Sequence, residues 1–253
     1  CYVTERRKLI GTVSAKELMT EDDNMLIEKL METEIISVKT HTDKEEVARL
    51  FTKYDLIALP VLDEDDHMVG IVTFDDAMDV MVEEATEDIT KMAAINPSEK
   101  PYFATSVMAH AKNRIPWLLV LMFTSIITGT IITRYEDAFA AIPLLVSFIP
   151  MLMDTGGNCG SQSATLIIRG LALNEIHFRD LFRVIFKEFR ISLICGGVLA
   201  VTNGIRIFIT YHNSQLALVI ALSLIATVII SKLIGCMLPL FAQKLRLDPA
   251  IMA

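Results

Sequence analysis

A short polar stretch inside an otherwise apolar segment holds the residue types that could do chemistry. The segment covers about residues 139–168 and carries Asp154, Asn158 and Gln162 beside the pair Gly156-Gly157. An ionisable or amide side chain at membrane depth is costly unless it faces protein or water, and such residues usually mark the path of an ion or substrate. We therefore predict that the cluster around Asp154 and Asn158 lines a path through the membrane.

The same stretch is also typical of a seam where two helices pack. Gly156, Gly160 and Ala164 recur at four-residue spacing, which lets another helix backbone approach closely. The polar residues of 162–165 would then form hydrogen bonds across that seam. We also predict that the full-length protein is a homodimer whose membrane contact includes these three small residues, unless the chain's own fifth span takes that place.

Composition divides the 253-residue chain into two unlike parts. Residues 1–100 carry 24 acidic and 11 basic side chains, net −13, whereas residues 101–253 carry 7 acidic and 12 basic ones, net +5. We therefore predict an acidic soluble module joined to a membrane module with basic loops, and the acidity argues against nucleic acid as a partner. The four cysteines form no CxxC pair, so neither a disulfide framework nor a zinc site is indicated.

Residues 21–82 show a compact alternation of short helices and strands. The predicted elements are helices at 26–31, 43–54 and 75–82, and strands at 35–38, 57–62 and 68–73. Asp43 is the expected N-cap of the second helix. The sequence from Gly11 is similar to the sequence from Gly70, which indicates an internal repeat of about 60 residues whose first copy is mostly absent.

A run of carboxylates follows the last of these strands. On a helix, six of them would gather on or beside one face: Asp76, Asp79, Glu83, Glu84, Glu87 and Asp88. Like charges at this spacing repel, and Lys91 is the basic side chain expected nearby to offset them. Hard oxygen donors suit Mg²⁺ or Ca²⁺, so this face is a candidate divalent-cation site, with a solvated acidic surface as the alternative.

Four hydrophobic spans are predicted in the second part of the chain, at about residues 116–133, 139–168, 191–211 and 216–241. As one helix, the second span would measure ~45 Å against a hydrocarbon core of ~30 Å, so we expect it to be tilted, broken or longer than the bilayer. Basic loops place the acidic module and residues 169–190 in the cytoplasm. Lys232 falls inside the fourth span and is expected to face protein, although the sequence indicates no partner for it.

The pattern ALPVLDEDDHMVGIVTFDD resembles a CBS domain, and residues 1–20 resemble the end of a preceding one. The resemblance implies a second CBS domain at 21–82. In such domains the turn that corresponds to Thr73 and Asp76 can hold a ribose and a phosphate, which implies ATP or another adenosyl nucleotide as a ligand. The first copy has Glu17 where the pattern has aspartate. Alternatively, Asp76 only complements the dipole of the helix that begins there.

Further segments, EEATEDITKMAAI, RIPWLLVL, PMLMDTGGNCGSQSATLIIRGLA and LPLFAQKLRLDPA, follow in an order that resembles the MgtE magnesium transporter and channel family. The likeness extends over essentially the whole chain, and the glycine-rich third segment is its most specific motif. It implies an α+β CBS module, an acidic connecting or plug helix region at 83–114, and an all-α polytopic membrane domain at 115–253. It also implies a homodimer in the plasma membrane, in contact with lipid, with cytoplasmic CBS domains and Mg²⁺ as substrate and regulator.

The resemblance also implies roles for particular residues. Carboxylates that bind cytosolic Mg²⁺ and close the pore would be Asp76, Asp79, Glu84, Glu87 and Asp88. Gly156, Gly157 and Asn158 match pore-side positions of the second span. A fifth span, with the pore aspartate of the family, is expected beyond Ala253, so the chain by itself is not expected to conduct.

Other functions fit the sequence less well. Another CBS-regulated transporter of divalent cations or other ions is the alternative, but a chloride path would favour basic groups, and Asp154 argues against it. An intramembrane hydrolase would need a Ser–Lys or Ser–His pair, or two aspartates at depth. No histidine lies in a predicted span, and Asp154 has no second aspartate there. We therefore expect no enzyme and assign no catalytic residue.

Overall fold

The computed structural model describes residues 1–22, 24–98 and 101–252. The chain divides into two compact units, Cys1–Thr86 and Glu87–Ala253. Among the described residues, the first unit holds the strands and the second is helical. The predicted order, an α+β module followed by a helical domain with apolar spans, is confirmed.

The first unit contains a hairpin and a three-stranded sheet. Its elements in chain order are β1 (Tyr2–Glu5), β2 (Lys8–Thr12), α1 (Ala15–Thr20), α2 (Ile27–Leu30), β3 (Val38–Lys39), α3 (Lys44–Tyr54), β4 (Ala58–Leu62) and β5 (Met68–Thr73). Strands β1 and β2 pair antiparallel, β3 runs parallel to β4, and β4 runs antiparallel to β5. Of the predicted strands, the one at 68–73 matches the structure, whereas the one at 35–38 is reduced to two residues.

Helix α3 shows why this unit folds as its sequence pattern predicts. Asp43 caps it, with the side chain accepting a hydrogen bond from the Glu45 amide at 2.8 Å, as expected. Ala48 and Phe51 lie on its buried face and pack against Leu59 of β4. Phe51 is 1% exposed, and burial of a side chain of that size contributes roughly 1.5–3 kcal/mol to stability.

The helix that follows β5, α4 (Phe74–Met92), is longer than the predicted 75–82 and carries the acidic run. It starts as α1 does. Before α1, the Ser14 hydroxyl accepts from the Glu17 amide, and the Glu17 carboxylate accepts from the Ser14 amide. Before α4, the Thr73 amide and hydroxyl both donate to the Asp76 carboxylate, at 3.4 and 2.6 Å. A hairpin followed by a helix whose third residue accepts from the amide before the helix thus occurs twice, as the internal repeat predicts.

The described residues of the second unit form five further α-helices: α5 (Val107–Arg134), α6 (Glu136–Ala141), α7 (Ile149–Ala172), α8 (Leu181–Tyr211) and α9 (Ser214–Lys244). By length and apolar composition, α5, α9 and residues 178–211 could each cross a membrane. The predicted first span at 116–133 lies within α5. Helix α5 begins at Val107, where the Ser106 hydroxyl accepts from the Ala109 amide, and it continues through Pro116.

The predicted span at 139–168 is broken. A 3₁₀ turn covers Pro143–Phe148, and α7 begins only at Ile149, with Pro150 in its first turn. Proline suits the start of a helix because its missing N–H has no helical acceptor there. The 24 residues of α7 measure about 36 Å, long enough to cross a hydrocarbon core. Helix α7 is nevertheless not among the candidate spans, because the polar residues along it lower its mean hydropathy.

Candidate functional site

Helix α7 has one packed face and one open face. Eight of its residues are buried: Gly156, Cys159, Ser163, Ala164, Ile167, Ile168, Gly170 and Leu171. The exposed polar residues recur three or four positions apart and therefore share the other side of the helix: Asp154, Asn158, Ser161, Gln162, Thr165 and Arg169. No segment of the described chain covers these side chains. Within the apolar part of a membrane protein, such a face must meet water, an ion or further protein.

The predicted path residues Asp154 and Asn158 are neighbours on this open face. The Asn158 side-chain amide donates to the Asp154 carboxylate at 3.2 Å, so the amide oxygen of Asn158 remains directed away from that bond. Gly157 lies between them in sequence, and a Cβ added there would meet nothing within 4 Å. A carboxylate, an amide oxygen and an accessible backbone therefore lie within about one turn, which is a donor set suited to a hydrated hard cation.

Gly156, which was predicted to line the path with Gly157, lies on the packed face instead. A Cβ there would be 2.9 Å from the Thr227 methyl carbon of α9. Gly160 also faces α9, at Ser231 and Gly235, and Ala164 is 1% exposed. The small-residue seam therefore joins α7 to a span of the same chain, which corrects its assignment to a homodimer contact.

The polar residues of 162–165 divide between the two faces. Gln162 and Thr165 are exposed, whereas Ser163 is fully buried and forms hydrogen bonds across the seam. Ser163 contacts Glu188 of α8 and Lys232 of α9, both also buried. Lys232 thus has the protein environment that was expected. Glu188 was not predicted as a site residue, because it lies among Arg183, Lys187 and Arg190 in sequence, yet of these four it is the one on the packed side of its helix.

The predicted regulatory carboxylates share α4, and two lysines lie among them. Lys44 of α3 is 3.0 Å from Glu84 and 3.6 Å from Glu83, and the hydrogen bond to Glu84 raises the pKa of Lys44 above its ordinary value. The expectation that Lys91 alone offsets this acidic run is therefore wrong. Among the described residues, no group of three or more Asp, Glu, His or Cys side chains converges closely enough to hold a metal ion.

Lys91 follows the acidic run on α4 and pairs with two carboxylates. Its ammonium contacts Glu87 one turn earlier and Asp248 at 2.5 Å. Burial lowers the pKa of Lys91, but the hydrogen bonds to Asp248 and Glu87 outweigh burial and raise the pKa above its usual range. Asp248 also accepts from the Ala250 amide at 2.8 Å, so this carboxylate ties the end of α4 to the segment that follows α9.

Asp76 borders a cavity of about 240 Å³ in the first unit. The cavity has an apolar wall and a polar rim. The wall is lined by Val38, Val47, Ala48, Val61, Val72, Ala77 and Val80, and the rim by Lys39, Thr40, Thr42, Lys44 and Asp76. Thr73 is not among the lining residues, but its hydroxyl bonds the Asp76 carboxylate and fixes its position. A slot with an apolar wall and a rim of hydroxyl, carboxylate and ammonium groups suits a nucleoside with phosphates.

Comparison with known proteins accounts for both units. Residues 149–253 match the family model of the MgtE divalent cation transporters, and residues 27–83 match that of the CBS domain. The magnesium transporter MgtE of Bacillus subtilis is 39% identical over 249 residues, and that of Thermus thermophilus is 38% identical over 251. Residues 149–253 thus form a domain of the MgtE type. The matched transporter region begins at the first residue of α7 and includes α8 and α9, the helices that pack with it.

The two MgtE relatives are longer than this chain. The alignments cover 98% and 99% of the chain but 55% and 56% of the relatives, so the chain spans about half of their length. A solved structure of the cytosolic domain of the Mg²⁺ channel MgtE in complex with ATP is 44% identical over 31% of this chain and 32% of that one, with a TM-score of 0.30. The domain match over residues 149–253 places the open face of α7 in a transporter-type domain.

Proposed function

We propose that the full-length protein carries Mg²⁺ across the plasma membrane and that the open face of α7 forms one wall of the path. The observation that carries this proposal is the division of α7 into a packed apolar face and an uncovered polar face headed by Asp154 and Asn158. A purely structural helix in lipid would not expose a carboxylate and several amides and hydroxyls. The proposal concerns transport, and it assigns no catalytic role to any residue.

The donor types on this face favour a hydrated dication. Mg²⁺ loses its water reluctantly and is commonly bound with several waters in place. The amide oxygen of Asn158 and the backbone beside Gly157 can accept hydrogen bonds from such waters without stripping them. Asp154 supplies a single negative charge, which attracts the ion without the deep trap that several carboxylates would form. A chloride path would need cationic or N–H groups in these positions.

Control of the path is assigned to the cytoplasmic CBS module and α4. Carboxylates at Asp79, Glu84, Glu87 and Asp88 would bind cytosolic Mg²⁺ in an assembled homodimer, and occupancy would close the path. Among the described residues of one chain, the acidic side chains do not converge on a metal, and a site completed by a second copy would account for this. Negative feedback of this kind keeps cytosolic Mg²⁺ within limits, because the transported ion is also the signal.

Asn158→Ala is expected to lower Mg²⁺ flux about tenfold or more. A hydrogen bond to a charged partner is worth roughly 1.5–3 kcal/mol, and the alanine removes the acceptor for the hydrated ion. Flux is measured with the full-length protein in liposomes that contain a Mg²⁺-sensitive dye, and Asn203→Ala on α8 is the matched control, since it removes an amide from another helix. Equal flux in both variants would contradict a role for Asn158. Flux of another divalent cation or of chloride, without Mg²⁺ flux, would favour the alternative transporter.

We also propose that the cavity of the first unit binds ATP or another adenosyl nucleotide. The apolar wall takes the base, Asp76 accepts from a ribose hydroxyl, and Lys44 on the rim meets the phosphates. Asp76→Ala is expected to weaken nucleotide binding about tenfold, the effect of one charge-assisted hydrogen bond. Isothermal titration of the full-length protein with ATP measures it. Asp79→Ala removes the same charge from the next turn of α4, outside the cavity lining, and is expected to change affinity less than twofold.

A further inference from the structure

Three polar side chains from three helices meet inside the second unit. Ser163 of α7, Glu188 of α8 and Lys232 of α9 are 0%, 6% and 5% exposed. The Ser163 hydroxyl donates to Glu188 Oε2 at 2.7 Å, and Lys232 Nζ donates to Ser163 Oγ at 3.4 Å. The serine hydroxyl therefore bridges a buried carboxylate and a buried ammonium. A buried carboxylate or a buried ammonium without its partner would be strongly unfavourable at this depth, so each charge requires the other.

This bridge lies behind the open face of α7. Ser163 follows Asn158 by five residues, which is about 7.5 Å along the helix axis and ~140° around it. One turn before Ser163, the backbones of α7 and α9 approach closely at Gly160 and Gly235. Lys232 is thus held against the back of the helix that carries the proposed path residues.

We propose that Glu188 is a positioning residue of the cation path. Through Ser163 it fixes α7 against α8 and α9, and it cancels the charge of Lys232 behind the path. The proposal rests on the proposed Mg²⁺ transport. An unpaired ammonium at Lys232 would repel a dication that approaches Asn158, because charges interact over this distance in a medium of low dielectric constant.

Two single variants of this pair are expected to act in opposite directions. Glu188→Gln leaves Lys232 uncompensated and should lower Mg²⁺ flux per folded protein at least threefold, with a higher Mg²⁺ concentration needed for half-maximal flux. Lys232→Met removes the ammonium behind the path, so its flux per folded protein should equal or exceed that of the unmodified protein. The double variant Glu188→Gln/Lys232→Met restores neutrality and should return flux to within twofold. If the bridge had only a structural role, both single variants would show a similar loss of Mg²⁺ flux.

The experiment uses the full-length protein reconstituted in liposomes, with Mg²⁺ influx followed over a series of external concentrations. Size-exclusion profiles and melting temperatures of the same preparations give the folded fraction, and Lys232→Arg and Glu188→Asp serve as charge-conserving variants with near-normal flux. Both single variants should melt earlier than the unmodified protein, and the double variant should recover part of the loss.

Each outcome of this experiment bears on the proposal. Changes of opposite sign in the Mg²⁺ flux of the two single variants support the electrostatic role. Equal losses in the two variants, or flux unchanged by Glu188→Gln, overturn it. An unmodified protein that carries no Mg²⁺ overturns the proposed function and the electrostatic role with it, and the melting temperatures then decide whether the bridge fixes the three helices.

Discussion

Gly235→Val is expected to abolish the folded membrane domain of the full-length protein. A Cβ at Gly235 would lie 2.9 Å from the carbonyl carbon of Gly160 and closer still to its oxygen. These atoms belong to the backbone of α7, so no side-chain rotation can relieve the contact. Even one added methyl group in a tightly packed site costs roughly 1–3 kcal/mol, and valine adds two more carbons beyond it.

The matched control for this prediction is Gly197→Val on α8. A Cβ at Gly197 meets nothing within 4 Å, so the same substitution changes helix propensity without a clash. Both variants are purified in detergent, and the monodisperse fraction and the melting temperature are compared with those of the unmodified protein. Loss of the folded peak is expected for Gly235→Val alone. If the two variants have the same melting temperature, the close approach of α7 and α9 is not a determinant of stability.

Local signals in the sequence predicted much of the first unit. The end of β5 and the cap at Asp43 depend on residues within a few positions of each other, and their physics does not need the rest of the fold. The start of α5 is also set locally, because the Ser106 hydroxyl caps this helix ten residues before Pro116.

The two glycines of the predicted path show where local signals are not enough. Gly156 and Gly157 are adjacent in sequence and about 100° apart on the helix, so one contacts Thr227 while the other is open. Choosing between them requires knowledge of which face α9 covers, which is tertiary information. Glu188 was missed for the same reason, since only the packing of three helices brings it to Ser163 and, through Ser163, to Lys232.

Neutralising the acidic side chains of α4 is expected to keep the proposed channel open at high cytosolic Mg²⁺. The variant replaces four carboxylates by their amides: Asp79, Glu84, Glu87 and Asp88. Two mechanisms give opposite results. If bound Mg²⁺ holds the closed state together, the variant loses its ligand and stays open. If repulsion among the carboxylates alone opens the path, the variant loses the repulsion and closes.

The ion pairs that lysines form with the α4 carboxylates favour the first mechanism. Lys44 pairs with Glu84, and Lys91 pairs with Glu87, so part of the repulsion is already neutralised within one chain. We therefore expect the Mg²⁺ concentration for half-closure to rise at least tenfold in the variant, and Lys44→Met to lower it, because the lysine competes with Mg²⁺ for Glu84.

Patch recordings of the full-length protein at graded cytosolic Mg²⁺ measure both shifts. A control variant removes four exposed carboxylates elsewhere in the first unit, at Glu5, Glu32, Glu34 and Asp65, and thus separates site loss from the change in net charge. Exposed charges are screened by salt over about 8 Å at physiological ionic strength, so the control should close at nearly the normal Mg²⁺ concentration. Closure of the α4 variant at lower Mg²⁺ than normal would instead establish repulsion as the opening force.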